Sequence, residues 1–400
     1  MKTNTTHTLA LAATFVTIIS SQMPAHAKDR KVAPTQDKPT VDAPAKPVVD
    51  GKNRIQIALL LDTSSSMDGL IDQAKTQLWK VVNTFIDAER DGEAPFVEVA
   101  LYEYGNNGNA VGNDWIRLVT PLTRDLDDLS SKLFALKTNG GEEYCGAVIQ
   151  RALGDLAWDD NKKTYKAIFI AGNEPFTQGR VDARSASKEA LAKGIVINTI
   201  HCGDRQQGIN GAWHDGAALG GGDFLVIDQD KVVAHIDAPQ DKRIAELSLK
   251  LNETYLGYGS RRKEAAERQM KADTDASAND QKGAHVQRAI TKSSSNYSNA
   301  GWDLCDAVKE KQIDITKLRQ EELPENLRGK TSEELNKLIA EAATKRTAIQ
   351  EEIKTLNKAR ETHVAEELKK QAASGEKSLD QAMIEATRQQ ASKVGYNFKK

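Results

Sequence analysis

The sequence predicts an α/β protein: a doubly wound, mostly parallel central sheet with helices on both faces, followed by an α-helical C-terminal region. Three observations lead there. Strand-like and helix-like segments alternate from residue 54 to about 258, the order that builds such a sheet. The runs IALLL at 57–61 and YKAIFIA at 165–171 are apolar without alternation, as in parallel strands covered on both faces. Beyond 258 the chain turns charged and Ala-rich, and from 333 to about 370 it is rich in Ala, Glu, Lys and Leu with a patchy apolar stripe at helical spacing.

The 400 residues carry a formal net charge of −2. That balance argues against a mainly nucleic-acid-binding role, which needs a basic surface. Residues 1–27 read as a signal peptide: Lys2, a mostly apolar core at 9–20, and Ala25-His26-Ala27 as a small-x-small cleavage site. The core is too short to span a membrane, and no later run reaches about 18 apolar residues. An exported protein, periplasmic or secreted, is expected, without an integral membrane segment after cleavage. No Cys follows the cleavage site, so no N-terminal lipid anchor is expected. Residues 28–50, rich in Pro, Lys, Asp and Ala, read as a linker.

Residues 51–258 are expected to form one domain. The first strand, IQIALLL at 55–61, breaks at once into Asp62-Thr63-Ser64-Ser65-Ser66. Leu70, Ile71, Ala74, Leu78, Val81, Val82, Phe85 and Ile86 then follow at helical spacing. FVEVALYEY at 96–104 is a second strand; a Gly/Asn turn at 106–112 and a returning strand at 115–119 make a hairpin. Helices are expected at 125–136 and 147–156, a buried strand at 165–171, a helix at 183–193, strands at 194–202 and 224–227, and a closing helix at 239–255.

In open α/β sheets ligands bind at the carboxyl ends of strands. Asp-x-Ser-x-Ser places hard oxygen donors there at alternating positions, which suits Mg²⁺, Mn²⁺ or Ca²⁺. A helix cap is the plainer reading of the same residues. The pattern and the order of elements resemble the von Willebrand factor A (vWA) family and its metal-ion-dependent adhesion site, with Asp62, Ser64 and Ser66 matching the first ligand motif. The resemblance covers about 200 residues. It implies a binding module that recognises a protein partner, through a divalent cation whose open position takes an acidic side chain of that partner.

Two loops depart from the family pattern. Gly140-Gly141-Glu142-Glu143 stands where Gly-Gly-Thr-Asp is usual, and Gly172-Asn173-Glu174 where Asp would begin the third motif. Glu142 therefore occupies the Thr position and Gly172 the Asp position. One reading has the lost carboxylate supplied by Glu142, with Glu143, Asn173 and Glu174 behind it. The other is a degenerate site that keeps the fold and binds no metal.

Cys145 and Cys202 should both lie near the carboxyl edge of the sheet, and their pairing is the first expectation in an oxidising compartment. Two buried free thiols are the competing one. The histidines show no ligand spacing, and no nucleophile stands with a base, so catalysis is not expected. Residues 259–300 read as a charged helical or linker segment and 301–400 as a helical region. Its stripe, Leu335, Leu338, Ile339, Ala342, Ile349, Ile353, Leu356 and Ala359, slips at Thr344-Lys345-Arg346-Thr347, so a coiled coil is only partly specified. Self-association through these helices is one expectation, a solvated spacer the other. The alternative function is a metal-free structural envelope protein whose C-terminal helices carry the interaction.

Overall fold

A computed structural model describes residues 53–85, 87–227, 236–278, 283–294, 296–371 and 379–398. The signal peptide and linker expected at 1–50 lie outside these residues, as does Ile86. The strands β1 (Arg54–Asp62), β3 (Phe96–Tyr104), β4 (Arg117–Thr123), β5 (Tyr165–Gly172), β6 (Val196–Cys202) and β7 (Gly221–Ile227) form one sheet, ordered β4-β3-β1-β5-β6-β7. All its pairings are parallel except β3 with β4. β1 and β5 are the central pair, and every residue of β5 is buried. This is why both read as unbroken apolar runs.

One face is covered by α1 (Ile71–Asn83) and α2 (Leu126–Ala135). The other carries α3 (Cys145–Asp155), α4 (Ala183–Ala192) and α6 (Trp213–Leu219). The alternation of β1 splits between these cores: Ile55, Ile57, Leu59 and Leu61 pack on the first side, Ala58 and Leu60 on the second.

Differences from expectation have local causes. The returning strand begins at Arg117 instead of 115, because Asp114 and Trp115 both have φ of 54° and the chain is still turning there. The first helix starts at Ile71, after a 3₁₀ turn at Ser65–Met67. The helices α5 (Arg205–Asn210) and α6 lie in a stretch whose glycines hid their helical spacing.

The largest difference concerns the tail. Residues 259–300 are expected as a charged helical or linker segment; they contain α8 (Arg262–Ala278) and α9 (Ala284–Ser293), following α7 (Asp241–Asn252). These helices pack on one another and on the head. α9 meets α1, α8 meets α2, and residues 53–398 belong to one compact unit. The long helix α11 (Ser332–Gln371) turns its apolar stripe inward. Leu335 and Ile339 join Leu304 and Cys305 of α10 (Leu304–Lys309), while Ile349 and Ile353 join Ile244, Leu247 and Val286. The slip at 344–347 is where Arg346 enters: its Nη1 pairs with Asp303 at 2.8 Å and Asp306 at 2.9 Å, and its Nη2 donates to the Thr254 carbonyl. The broken heptad therefore accommodates a buried ion cluster. Finally α12 (Leu379–Ser392) returns to the head against α1 and β7, and β8 (Asn397–Phe398) pairs antiparallel with β2 (Ala88–Glu89). Among the described residues no helix is long and apolar enough to cross a membrane.

Candidate functional site

The register of the central strands creates the site. Asp62 ends β1 opposite Tyr104 of β3, and Leu61 lies opposite Ala171 of β5. The three loops that follow β1, β3 and β5 therefore meet at one sheet edge. Asn106 ties two of them to a fourth: its Nδ2 donates to Thr63 Oγ1 at 3.2 Å and to the Lys137 carbonyl at 3.0 Å.

Asp62 is fully buried, and its Oδ1 accepts from the Ser64 N–H at 2.8 Å. The Ser64 side chain caps no helix, which disposes of the plainer reading of that serine. Ser64 Oγ lies 2.9 Å from Ser66 Oγ. Ser66 Oγ donates to Asn173 Oδ1 at 3.0 Å, and Asn173 Nδ2 returns a bond to the Ser66 carbonyl at 3.0 Å. The loop after β5 is thus joined to the Asp-x-Ser-x-Ser loop through Asn173.

The two glutamates of the second loop part company. Glu142 is exposed, and its Oε2 accepts from Gln178 Nε2 at 3.1 Å, away from Asp62. Glu143 is 7 % exposed and turns inward. Ser64 draws both the Asp62 and the Glu143 carboxyls down against the rise that burial causes. The sequence had ranked Glu142 first; the structure brings Glu143 to the centre. Backbone direction decides this, because consecutive side chains near α3 cannot both face inward. Glu174 is half-buried beside them; its carbonyl accepts from Trp213 Nε1 at 2.8 Å, and its charge is felt at Glu143.

Two glycines shape the cradle. A Cβ on Gly105 would lie 2.8 Å from Asp62 Oδ1 and 2.9 Å from Glu143 Cγ, so only glycine lets the two carboxylates share this space. Its φ of +73° adds a second reason. At Gly172 a Cβ would come within 2.5 Å of the Tyr104 hydroxyl and 3.1 Å of Trp213. That hydroxyl is buried and donates to the Ala171 carbonyl at 3.0 Å. An Asp at 172 would have no room, so the departure of the third loop belongs to the packing of Tyr104 and Trp213. Gly105, Tyr104, Asn106 and Trp213 were missed in the sequence. The pair Gly105-Asn106 directly after a strand was the one available signal.

Burial, with the nearby Glu143 charge, pushes the Asp62 carboxyl up to about 7 against the pull of the Ser64 bonds. Burial likewise raises Glu143. Asp62 Oδ2 is buried with no hydrogen-bond partner among the described residues, a costly state for a carboxylate. Cys145, Cys202 and Cys305 are all free and buried, so the expected Cys145–Cys202 pairing is not made. Cys145 Sγ instead lies 3.6 Å from the Tyr104 hydroxyl, and burial raises both thiols.

Among the described residues no three His, Cys, Asp or Glu side chains converge as a metal cluster. The donor set is two carboxylates, Asp62 and Glu143, with the hydroxyls of Ser64 and Ser66. It fits a hard divalent cation, and the orphaned Asp62 oxygen is the group such an ion would satisfy.

Residues 56–210 match the model of the von Willebrand factor type A domain, and this part of the chain is such a domain. Its sheet and flanking helices are those of the family fold. Solved structures similar to it include the conserved hypothetical protein BatB from Bacteroides thetaiotaomicron, 17 % identical, over 44 % of this chain and 90 % of that one, with a TM-score of 0.34. The SpRpn10 VWA domain is 18 % identical over 44 % of this chain and 89 % of that one, TM-score 0.35. Proximal thread matrix protein 1 from the mussel byssus, with a zinc-occupied MIDAS motif, is 14 % identical over 46 % of this chain and 44 % of that one, TM-score 0.33. No curated protein matches the chain. VWA domains are known as protein-interaction modules.

Proposed function

We propose that the protein is an exported binding module that recognises a protein partner through a divalent cation held at the edge of its sheet. One observation carries this reading: a fully buried Asp62 whose Oδ2 has no partner among the described residues, beside the hydroxyls of Ser64 and Ser66. Asp62, Ser64, Ser66 and Glu143 would hold Mg²⁺ or Mn²⁺, with Ca²⁺ a larger alternative. When bound, the ion would supply a Lewis-acidic centre for an oxygen of the partner. The chain's own part is to fix the donors: Asn173 orients Ser66, the Ser64 N–H orients Asp62, and Gly105 leaves the space open. Glu142 and Glu174 belong to the rim, Glu142 through its exposure and Glu174 through its charge. We read the site as one for binding, not turnover. Export rests on the composition of residues 1–27.

Calorimetric titration of the full chain with Mg²⁺, Mn²⁺ and Ca²⁺ tests this beside Asp62→Ala. About one ion bound, and lost in the variant, is the expected result. Heat identical in both proteins, or absent from both, would sink the cation reading. The alternative, interaction through the C-terminal helices, has less room: the apolar stripe of α11 is already covered by α7, α9 and α10.

A further inference from the structure

A second recess lies where head and tail meet. Helices α1 and α2 of the head and α8 and α9 of the tail surround a cleft of about 510 Å³, part of it open to solvent, a size usual for small-molecule sites. None of the residues around it comes from the loops at the sheet edge. Its apolar wall consists of the rings of Trp79 on α1 and Phe134 on α2, with Ala276 and Ala284 on the two tail helices. Trp79 belongs to the core of the head and Phe134 packs against that core, so both rings are held in place by their neighbours.

Three polar side chains share the lining. Arg288 is 3 % exposed; its Nε pairs with Asp273 and its Nη2 with Asp127 at 2.8 Å, and its Nη1 is buried with no hydrogen-bond partner among the described residues. Gln287 Oε1 accepts from Asn83 Nδ2 at 3.0 Å, so the amide nitrogen is the end left to donate. The Ser130 hydroxyl is the third group. A buried donor left unmade is costly, and an incoming acceptor would relieve it. Charge in the region is already balanced: Arg288 and Lys292 face Asp127 and Asp273, and Asp275 at the wall is paired with Lys271 at 2.6 Å. A carboxylate would give up its hydration without meeting an unmatched cation, whereas an uncharged oxygen gives up little.

We infer that this cleft binds a small uncharged aromatic molecule carrying a hydrogen-bond acceptor, with its ring against Trp79 and Phe134 and its oxygen toward the donors of Gln287, Ser130 and Arg288. Aromatic walls favour such a flat ring. The ligand would touch head and tail at once, and its binding is independent of the cation site.

The test titrates the full chain, in cation-free buffer, with 4-fluoroacetophenone, fluorobenzene and 4-fluorobenzoate, each followed by its fluorine NMR signal. The ketone should bind at least about tenfold more tightly than fluorobenzene, the worth of one net hydrogen bond, and more tightly than the benzoate. Ala276→Leu, which fills the cleft from a half-buried helix position, should weaken the ketone at least about tenfold with an unchanged circular dichroism spectrum. Asp62→Ala should bind it as wild type does. No binding of the ketone, fluorobenzene or benzoate binding as well as the ketone, a folded Ala276→Leu with wild-type affinity, or loss in Asp62→Ala each overturns the inference. Should Ala276→Leu not fold, Ala284→Leu takes its place, and if neither folds the wild-type order of the three ligands decides.

Discussion

At the scale of single residues, the site is set by which side chain gets the inside position. Glu143, not Glu142, faces Asp62, and Gly172 is a glycine because Tyr104 and Trp213 fill the space above it. Asp62 illustrates how a buried carboxyl strains the fold that holds it. Its carboxyl titrates near 7 in the folded chain, above its ordinary 3.8. The native state therefore prefers the protonated form: the stability is fully present below about 3.8 and is lost as pH rises through about 7. A shift of that size corresponds to about 4 kcal/mol at pH 8, an upper figure for a group beside another carboxyl. Asp62→Asn should accordingly be more stable than wild type at pH 8 in cation-free buffer and gain nothing at pH 4, measured by urea unfolding. Saturating cation should stabilise the wild type alone. Equal stability of both proteins at the two pH values would contradict the burial argument. In the sequence, Asp62, Ser64 and Ser66 were legible because one motif carries them. The inward glutamate was not, since nothing local distinguishes two adjacent glutamates.

At the scale of elements, the strand and helix alternation of the head was readable because each segment has its own period. Phe96–Tyr104 is a strand with the bounds its apolar residues announce. The role of α12 was not readable. Its Met383 and Ala391 are fully buried in the same core as β1 and α1, although some 300 residues separate them in sequence. Gln390 completes the attachment: it accepts from the Tyr165 hydroxyl at 2.7 Å and donates to Asn198 Oδ1 at 2.7 Å. A helix that looks like the end of a spacer thus closes a face of the sheet. Met383→Ala should cost about 2–5 kcal/mol, as truncations in a packed core do. Chemical denaturation followed by the fluorescence of the head tryptophans measures it. A loss below about 0.5 kcal/mol, the range of surface changes, would mean that α12 is only loosely docked.

At the scale of the whole molecule, head and tail are held by buried charge as well as apolar contact. Arg288 of α9 pairs with Asp127 of α2 at 2.8 Å and with Asp273 of α8, and Lys292 pairs with Asp273 at 2.8 Å. Tyr297 adds a hydroxyl donor to Asp127. Burial alone would raise the Asp273 carboxyl, but Lys292 and Arg288 beside it hold it below the ordinary 3.8. Its stabilising part is thus present above about 3.8 and is lost as pH falls through the lower folded value. Arg288→Met should destabilise the protein by about 3–5 kcal/mol, because it strands buried carboxylates. The loss should shrink in acid as those groups protonate, and a pH series of thermal melts reads both effects. A variant as stable as wild type at pH 7 would show that head and tail do not depend on this cluster.

By itself the sequence determined the class of fold, the strand that anchors it and three oxygen-bearing residues of the candidate site, because hydrophobic period and a short motif are local properties. The tertiary structure decided the rest. It chose Glu143 as the second carboxylate and excluded a side chain at Gly172. It turned the patchy stripe of α11 inward around Arg346 and wrapped the tail helices onto the head. Each of these depends on which distant surfaces meet, and the free energy of burying one surface against another is not encoded in the spacing of either alone.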